Sequence, residues 1–277
     1  MKTPNPKKAR PRVNAQTRFS TCAKPLMDEA LRCAARLDEY ADELHKLRVA
    51  LRRLRTLLWA WRPLLDREAV EIERAYLKRA GMAAGSARDW DIALPLLREH
   101  ADEAALVDER MQAARVEARE RARATLAASD LKPALRDMLH TMNRALNTAH
   151  ERVPVKRFAR DRVQTAQRAL KKRERRAKRA MRDDYAAWHD VRKAAKKLRY
   201  LLEFFAADLP RREVKRLKSL KKLQNRFGAL NDAVSVTHLV DAHREVFANA
   251  ASGDATLAAL ARTGKRRMRR AGKLIGA

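Results

Sequence analysis

The sequence predicts an all-α fold built on an internal duplication. Three observations predict it. Apolar residues recur at three-four spacing along nearly the whole chain, no segment alternates apolar and polar long enough for a strand, and one block of residues occurs twice in the same order. Composition agrees: aromatics make up only 5% of the 277 residues, Gly numbers 7, and Ala, Leu and Arg are prominent, a mixture that favours helices over sheets.

The elements follow in order. Residues 1–20 (MKTPNPKKARPRVNAQTRFS) carry Pro, Lys and Arg with almost no apolar periodicity, which reads as a flexible basic tail. From Pro25 onward Leu26, Ala30, Cys33 and Leu37 keep helical spacing. The run 42–65 sets Leu44, Leu47, Leu51, Leu54 and Leu58 on one face, with Pro63 near its end. A helix over 67–84 is expected to stop at Gly85, and 89–97 starts another element. Residues 102–128 read as a long amphipathic helix of mixed charge, and 130–151 as the next, Pro133 being tolerated in its first turn. Pro154 breaks the chain. Residues 155–182 form a strongly basic helix whose thin apolar side is Phe158, Ala166, Leu170, Ala177 and Met181, and after Asp183-Asp184 the pattern of the first half returns. Cys22 and Cys33 fall roughly 16 Å apart along one helix, too far to pair.

Lys and Arg total 64 against 34 Asp and Glu, a formal net charge of +30. Self-repulsion on that scale draws in counterions, and a charged polymer relieves it: nucleic acid, polyphosphate or an anionic membrane surface. No apolar run approaches the roughly 20 residues that span a bilayer, and the basic N-terminus lacks the apolar segment of a signal peptide. The expectation is a cytoplasmic protein with no transmembrane segment.

The repeat places LHKLRVALRRLRTLLWAWRPLL (Leu44–Leu65) over WHDVRKAAKKLRYLLEFFAADL (Trp188–Leu209). His45 then meets His189, Arg48 meets Arg192, Arg52-Arg53 meets Lys196-Lys197, and Arg55 meets Arg199. With a one-residue slip, Gly85–Asp89 meets Gly228–Asp232 and Lys78-Arg79 meets Lys221-Lys222. The first repeat motif spans 44–97 and the second 188–239. At about 100° per residue, His45, Arg48, Arg52 and Arg55 share a stripe roughly 80° wide beside the leucine stripe, not opposite it. His189, Arg192, Lys196 and Arg199 do the same beside Val191, Ala195, Leu198 and Leu202. A single basic stripe is usually a solvated face. The same row in both halves, flanking the core seam, points instead to a shared groove.

With its first motif HKLRVALRRLR (His45–Arg55), its second HDVRKAAKKLRY (His189–Tyr200), and the turns GSARDWD (Gly85–Asp91) and GALNDA (Gly228–Ala233), the sequence resembles the CHAD domain, the conserved histidine alpha-helical domain. The resemblance runs from about residue 21 to 277. It implies two four-helix-bundle-like halves related by pseudo-two-fold symmetry, with a basic groove or pore between them that binds inorganic polyphosphate without catalysis and without a cofactor. The binding residues it implies are His45, Arg48, Arg52, Arg55, Lys78 and Arg88 in the first half, and His189, Arg192, Lys196, Arg199 and Lys221 in the second. The role it leaves open is granule attachment, at polyphosphate granules in the cytoplasm, polymer chaperoning or nucleoid association. Asn231 stands where the first half has Arg88, so the second turn lacks a cation, and Lys196-Lys197 replaces the Arg pair with point charges; equivalence of the two half-sites is left open. Such domains often follow a triphosphate-hydrolysing CYTH domain. The nearest likeness to that domain's Glu-x-Glu-x-Lys motif, EIERA (Glu71–Ala75), lacks the Lys and sits in a helical pattern, so a freestanding domain is expected.

Two rivals come from other classes. Non-specific nucleic-acid binding could use the cations between Lys171 and Arg179, or Gly264–Lys273, although neither stretch is a base-reading motif. His189-Asp190 invites a metal-dependent HD-type phosphohydrolase, with His140 or His150 and Asp232 as further ligands. The repeat accounts for His189 without metal, since His45 is followed by Lys46, and dense positive charge is a poor home for a cation. There is no Walker loop, zinc-ligand spacing or nucleophile elbow. Scarce aromatics argue against a base-stacking platform, and Trp59, Trp61, Phe204 and Phe205 read as core or bundle-end packing. Arg115 and Arg119, on a mixed-charge helix outside the repeat, read as bystander cations.

Overall fold

The computed structural model describes residues 13–37, 42–101, 106–180 and 184–275, and among them there is no strand. The helices are α1 (Ala15–Ala35), α2 (Glu43–Trp61), α3 (Arg67–His100), α4 (Asp108–Ala127), α5 (Leu131–Thr148), α6 (Val155–Arg179), α7 (Tyr185–Phe204), the short α8 (Arg211–Val214), α9 (Arg216–Ala242) and α10 (Ala250–Gly272). The all-α expectation holds.

Two local readings are corrected. The stretch read as a tail turns helical at Ala15: Asn14 caps α1 by accepting from the Thr17 amide at 2.9 Å, and Ala15, Gln16 and Phe19 are buried. Tertiary anchoring outweighs the weak periodicity. The Ala15 amide donates to the Val153 carbonyl at 2.8 Å, and the Gln16 amide group donates to the Glu151 carbonyl at 2.8 Å. Residues 1–12 of the expected tail lie outside the described residues. Nor does Gly85 stop a helix, because α3 runs unbroken for 34 residues through both Gly85 and Pro95. Gly costs about 1 kcal/mol in a helix interior. Packing of Val70, Leu77, Ala80, Ala84 and Ala87, all buried, more than offsets it.

Neighbouring helices pack in the same succession twice: α1 on α2, α2 on α3 and α3 on α4, then α6 on α7, α7 on α9 and α9 on α10. Across the two series α2 meets α7 and α3 meets α9, while α5 returns to pack on α1. The main core centres on Trp61, whose indole N–H donates to the Ala15 carbonyl at 2.7 Å. Its ring lies 5.7 Å from Phe19, 5.2 Å from Phe158 and 5.2 Å from Phe205, joining α1, α2, α6 and the end of α7. A second, smaller core holds Trp90, Leu97, Met111, Val240, Phe247 and Leu260, so α3 and α9 run through both. Cys22 and Cys33 are unpaired on α1, and burial pushes their thiols up to about 11 and about 12, which keeps them protonated and unreactive.

Candidate functional site

A cleft of about 740 Å³ opens where α2, α3, α7 and α9 meet. Helix α2 contributes His45, Arg48, Arg52 and Arg55, and α3 contributes Arg74, Lys78, Arg88 and Asp89. From α7 come His189, Arg192, Lys193, Lys196, Lys197 and Tyr200, and from α9 Asn231, Asp232 and Ser235. Among the described residues ten Lys and Arg thus face two Asp. The helical rows explain the convergence. Each leucine stripe is buried between helices, and a cationic row next to it must open at the edge of that seam.

Burial holds the guanidinium groups of Arg48, Arg55 and Arg192 below their ordinary basicity, and neighbouring cations, Arg52 in each case, add to the effect. Arginine does not give up its proton in a protein, so the result is a standing cost of crowded, half-buried positive charge in the cleft. Lysine can give it up. Burial, then Arg192, Arg52 and Arg48, push Lys196 down to about 6, with Asp232 opposing. Lys197 is pushed to about 8 by burial, then Arg74, Arg173, Arg162 and Arg55. His45 and His189 are lowered first by burial and then by cations, so both rings are neutral at pH 7.

The carboxylates compensate only weakly. Arg48 Nη1 lies 3.8 Å from Asp89 Oδ1, and burial, reinforced by Asp232, raises the Asp89 carboxyl despite the opposing pull of Arg48. Among the described residues the buried Nε atoms of Arg55, Arg74, Arg88 and Arg192 have no hydrogen-bond partner. Native interiors seldom leave such donors idle, and a ligand rich in acceptor oxygens would engage them. Asn231, at the position of Arg88 in the other half, is occupied otherwise. It accepts from the Tyr185 hydroxyl at 2.9 Å, which leaves His189 Nδ1 as the donor in its 3.2 Å contact with that hydroxyl.

Of the eleven residues implied by sequence, nine line the cleft. Arg199 does not: its Nε lies 3.6 Å from Glu203 and its guanidinium 5.0 Å from the Tyr200 ring, while Arg53 reaches the same Glu203 at 3.3 Å. Lys221 is exposed on α9 outside the lining. Sequence reasoning missed Arg74, Lys193 and Lys197 as lining residues. Arg74 precedes Lys78 by four positions, and Lys193 and Lys197 follow His189 at the same interval, so the i,i+4 rule could have found them. Trp59 is more than packing, since Lys197 sits 4.2 Å and Arg162 4.3 Å from its ring. Arg115 and Arg119 are not bystanders. Both pair with Asp91 on α3, at 2.9 and 3.1 Å. The residues nominated for a metal do not assemble. Among the described residues no three His, Cys, Asp or Glu could hold an ion, and His140 and His150 are exposed. No helix among the described residues is long and apolar enough to cross a membrane.

Fold and cleft together define an all-α domain whose paired helices expose cationic rows to one another. The CHAD domain family model matches residues 25–241, and the chain belongs to that family. The CHAD domain from the plant Ricinus communis has the same fold, with a TM-score of 0.76 at 23% identity over 99% of this chain and 95% of that one. PptA from Streptomyces chartreusis is similar at a TM-score of 0.61 and 16% identity, over 95% of this chain and 99% of that one. A comparison with curated proteins yields no match.

Proposed function

We propose that the chain binds inorganic polyphosphate, without catalysis, in the cleft between two related helical halves with motifs at 44–97 and 188–239. The observation that carries this reading is made among the described residues: four buried Arg Nε donors without partners, inside a lining of ten cations and two carboxylates. A phosphate chain presents about one charge and several acceptor oxygens per unit and needs no base-stacking surface. The one aromatic in the lining, Tyr200, is buried and offers no such surface. Family membership supports the same ligand, and the expected location is wherever the polymer accumulates, at polyphosphate granules.

The test is competition. Labelled polyphosphate is displaced by charge-matched single- and double-stranded DNA at moderate salt, and DNA is expected to need a clear excess per phosphate. Equal displacement would make the protein a general polyanion binder.

Binding is also expected to take up protons. A polyanion beside Lys196 favours its ammonium form, so at pH 8 an amine that is mostly neutral in the free protein must protonate, and Lys197 contributes in part. Affinity therefore falls as pH rises above about 6, and again above about 8. The sign for the free protein is opposite. The folded pKa of Lys196 lies below the unfolded value, the unfolded chain holds more protons between pH 6 and 10.5, and stability rises with pH across that window. Calorimetric titrations at pH 8 in buffers of different ionisation enthalpy should show uptake of between about 1 and 1.5 protons per protein. Zero uptake would mean that the phosphate chain does not approach these lysines.

A further inference from the structure

Lys196 has no ion pair among the described residues. The charges that act on it are Arg48 and Arg52 from α2, Arg192 from its own helix and Asp232 from α9, and Arg74, Lys78, Arg88 and Asp89 of α3 line the same cleft. Three guanidinium groups that keep their protons surround one amine that can lose its own, so charge repulsion is relieved at Lys196. The side chain is partly exposed on the cleft wall. A neutral primary amine in solvent contact, ringed by groups suited to phosphate oxygens, is the arrangement in which an amine attacks a phosphate-bearing electrophile.

We infer that Lys196 is an acylation site for small acyl phosphates, which the surrounding Arg48, Arg52 and Arg192 draw in by their phosphate group. The amine lone pair attacks the acyl carbonyl carbon and a C–N bond forms. The C–O bond to phosphate then breaks, its electron pair leaves with inorganic phosphate, and the amine's surplus proton passes to phosphate or water. No redox partner is needed. The product is an amide that cannot be protonated, so the modified cleft has lost one cation for good. Recruitment of the reagent rests on the phosphate-binding reading of the cleft, whereas the free amine does not.

The expected advantage is bounded. At pH 7.5 an ordinary lysine is a free amine in about one molecule per thousand. A less basic amine is also a weaker nucleophile, by a coefficient of about 0.4–0.5 if amines follow the behaviour of thiolates. The two effects together leave Lys196 several-fold to about tenfold faster than an exposed lysine toward a neutral reagent, and phosphate recruitment multiplies that.

The experiment treats the full-length protein with acetyl phosphate and, separately, with the neutral ester p-nitrophenyl acetate. Acetylation at Lys196 and at the exposed Lys156 and Lys172 is followed by peptide mass spectrometry from pH 6 to 10. At pH 7.5 Lys196 is expected to lead with both reagents and by a wider margin with acetyl phosphate, and Lys172 should overtake it toward the ester above about pH 8.5. Its rate should level off above about pH 7, while Lys172 keeps accelerating. Added polyphosphate should protect Lys196 alone. The inference is overturned if at pH 7.5 Lys196 reacts no faster than Lys172 with either reagent, or if acetyl phosphate widens no margin that the ester already shows. If Lys196 leads as stated and polyphosphate gives no protection, the acylation site stands and polyphosphate binding in the cleft fails.

Discussion

Replacing Arg48 and Arg192 together by Ala should weaken polyphosphate binding by about 3 kcal/mol or more, since each charge-assisted hydrogen bond is worth roughly 1.5–3 kcal/mol. The slope of log affinity against log salt should flatten by roughly two counterions. The free protein should keep its melting temperature or gain slightly, because burial and neighbouring cations hold both groups in the cleft at a cost. Arg48 has only a 3.8 Å contact with Asp89, whose carboxyl burial already raises toward its neutral form. The matched control is Lys156 with Arg157, exposed cations on α6 outside the lining. Arg115 with Arg119 would be a poor control, because removing them strands Asp91 and destabilises the fold. An equal loss from the control pair would show that only net charge matters. A large fall in melting temperature for the cleft pair would make the rows structural.

Trp61→Ala should cost about 3–5 kcal/mol of stability, the range for emptying a large aromatic from a tight core. The position is fully buried among Phe19, Phe158 and Phe205, and the change also leaves the Ala15 carbonyl without its indole donor. Urea denaturation measures it. A loss below about 1 kcal/mol would mean that the junction of α1, α2, α6 and α7 repacks around the gap.

What was legible in the sequence was angular. The rows His45–Arg55 and His189–Lys196 were placed by helical period, and the cleft is where those rows face each other. Relations between helices were not legible. Lys221 sits 11 residues before Asp232, almost the same angle on α9 but roughly 16 Å along its axis. Whether that distance stays within the cleft depends on how α9 crosses α7, which no wheel encodes. Arg199 shares the angle of Arg55, yet Glu203 and Tyr200 at the end of α7 hold it, and Arg53 of α2 joins them. The start of α1 was hidden for a similar reason: its anchors at Glu151 and Val153 lie more than 130 positions away.

The spacing of the cationic rows has a consequence for a ligand without sequence. Arg48 and Arg52, like Arg192 and Lys196, recur every four residues, about 6 Å along their helices. A uniform polymer offers the same charge at every unit, so nothing in it fixes one register against such rows. Each shift by one unit restores an equivalent set of contacts, and a long chain occupies the cleft in many degenerate ways. Every doubling of the registers adds about 0.4 kcal/mol to the apparent affinity through statistics alone. On the proposed polyphosphate reading, the bound protein is expected to shift between registers of equal energy along the polymer.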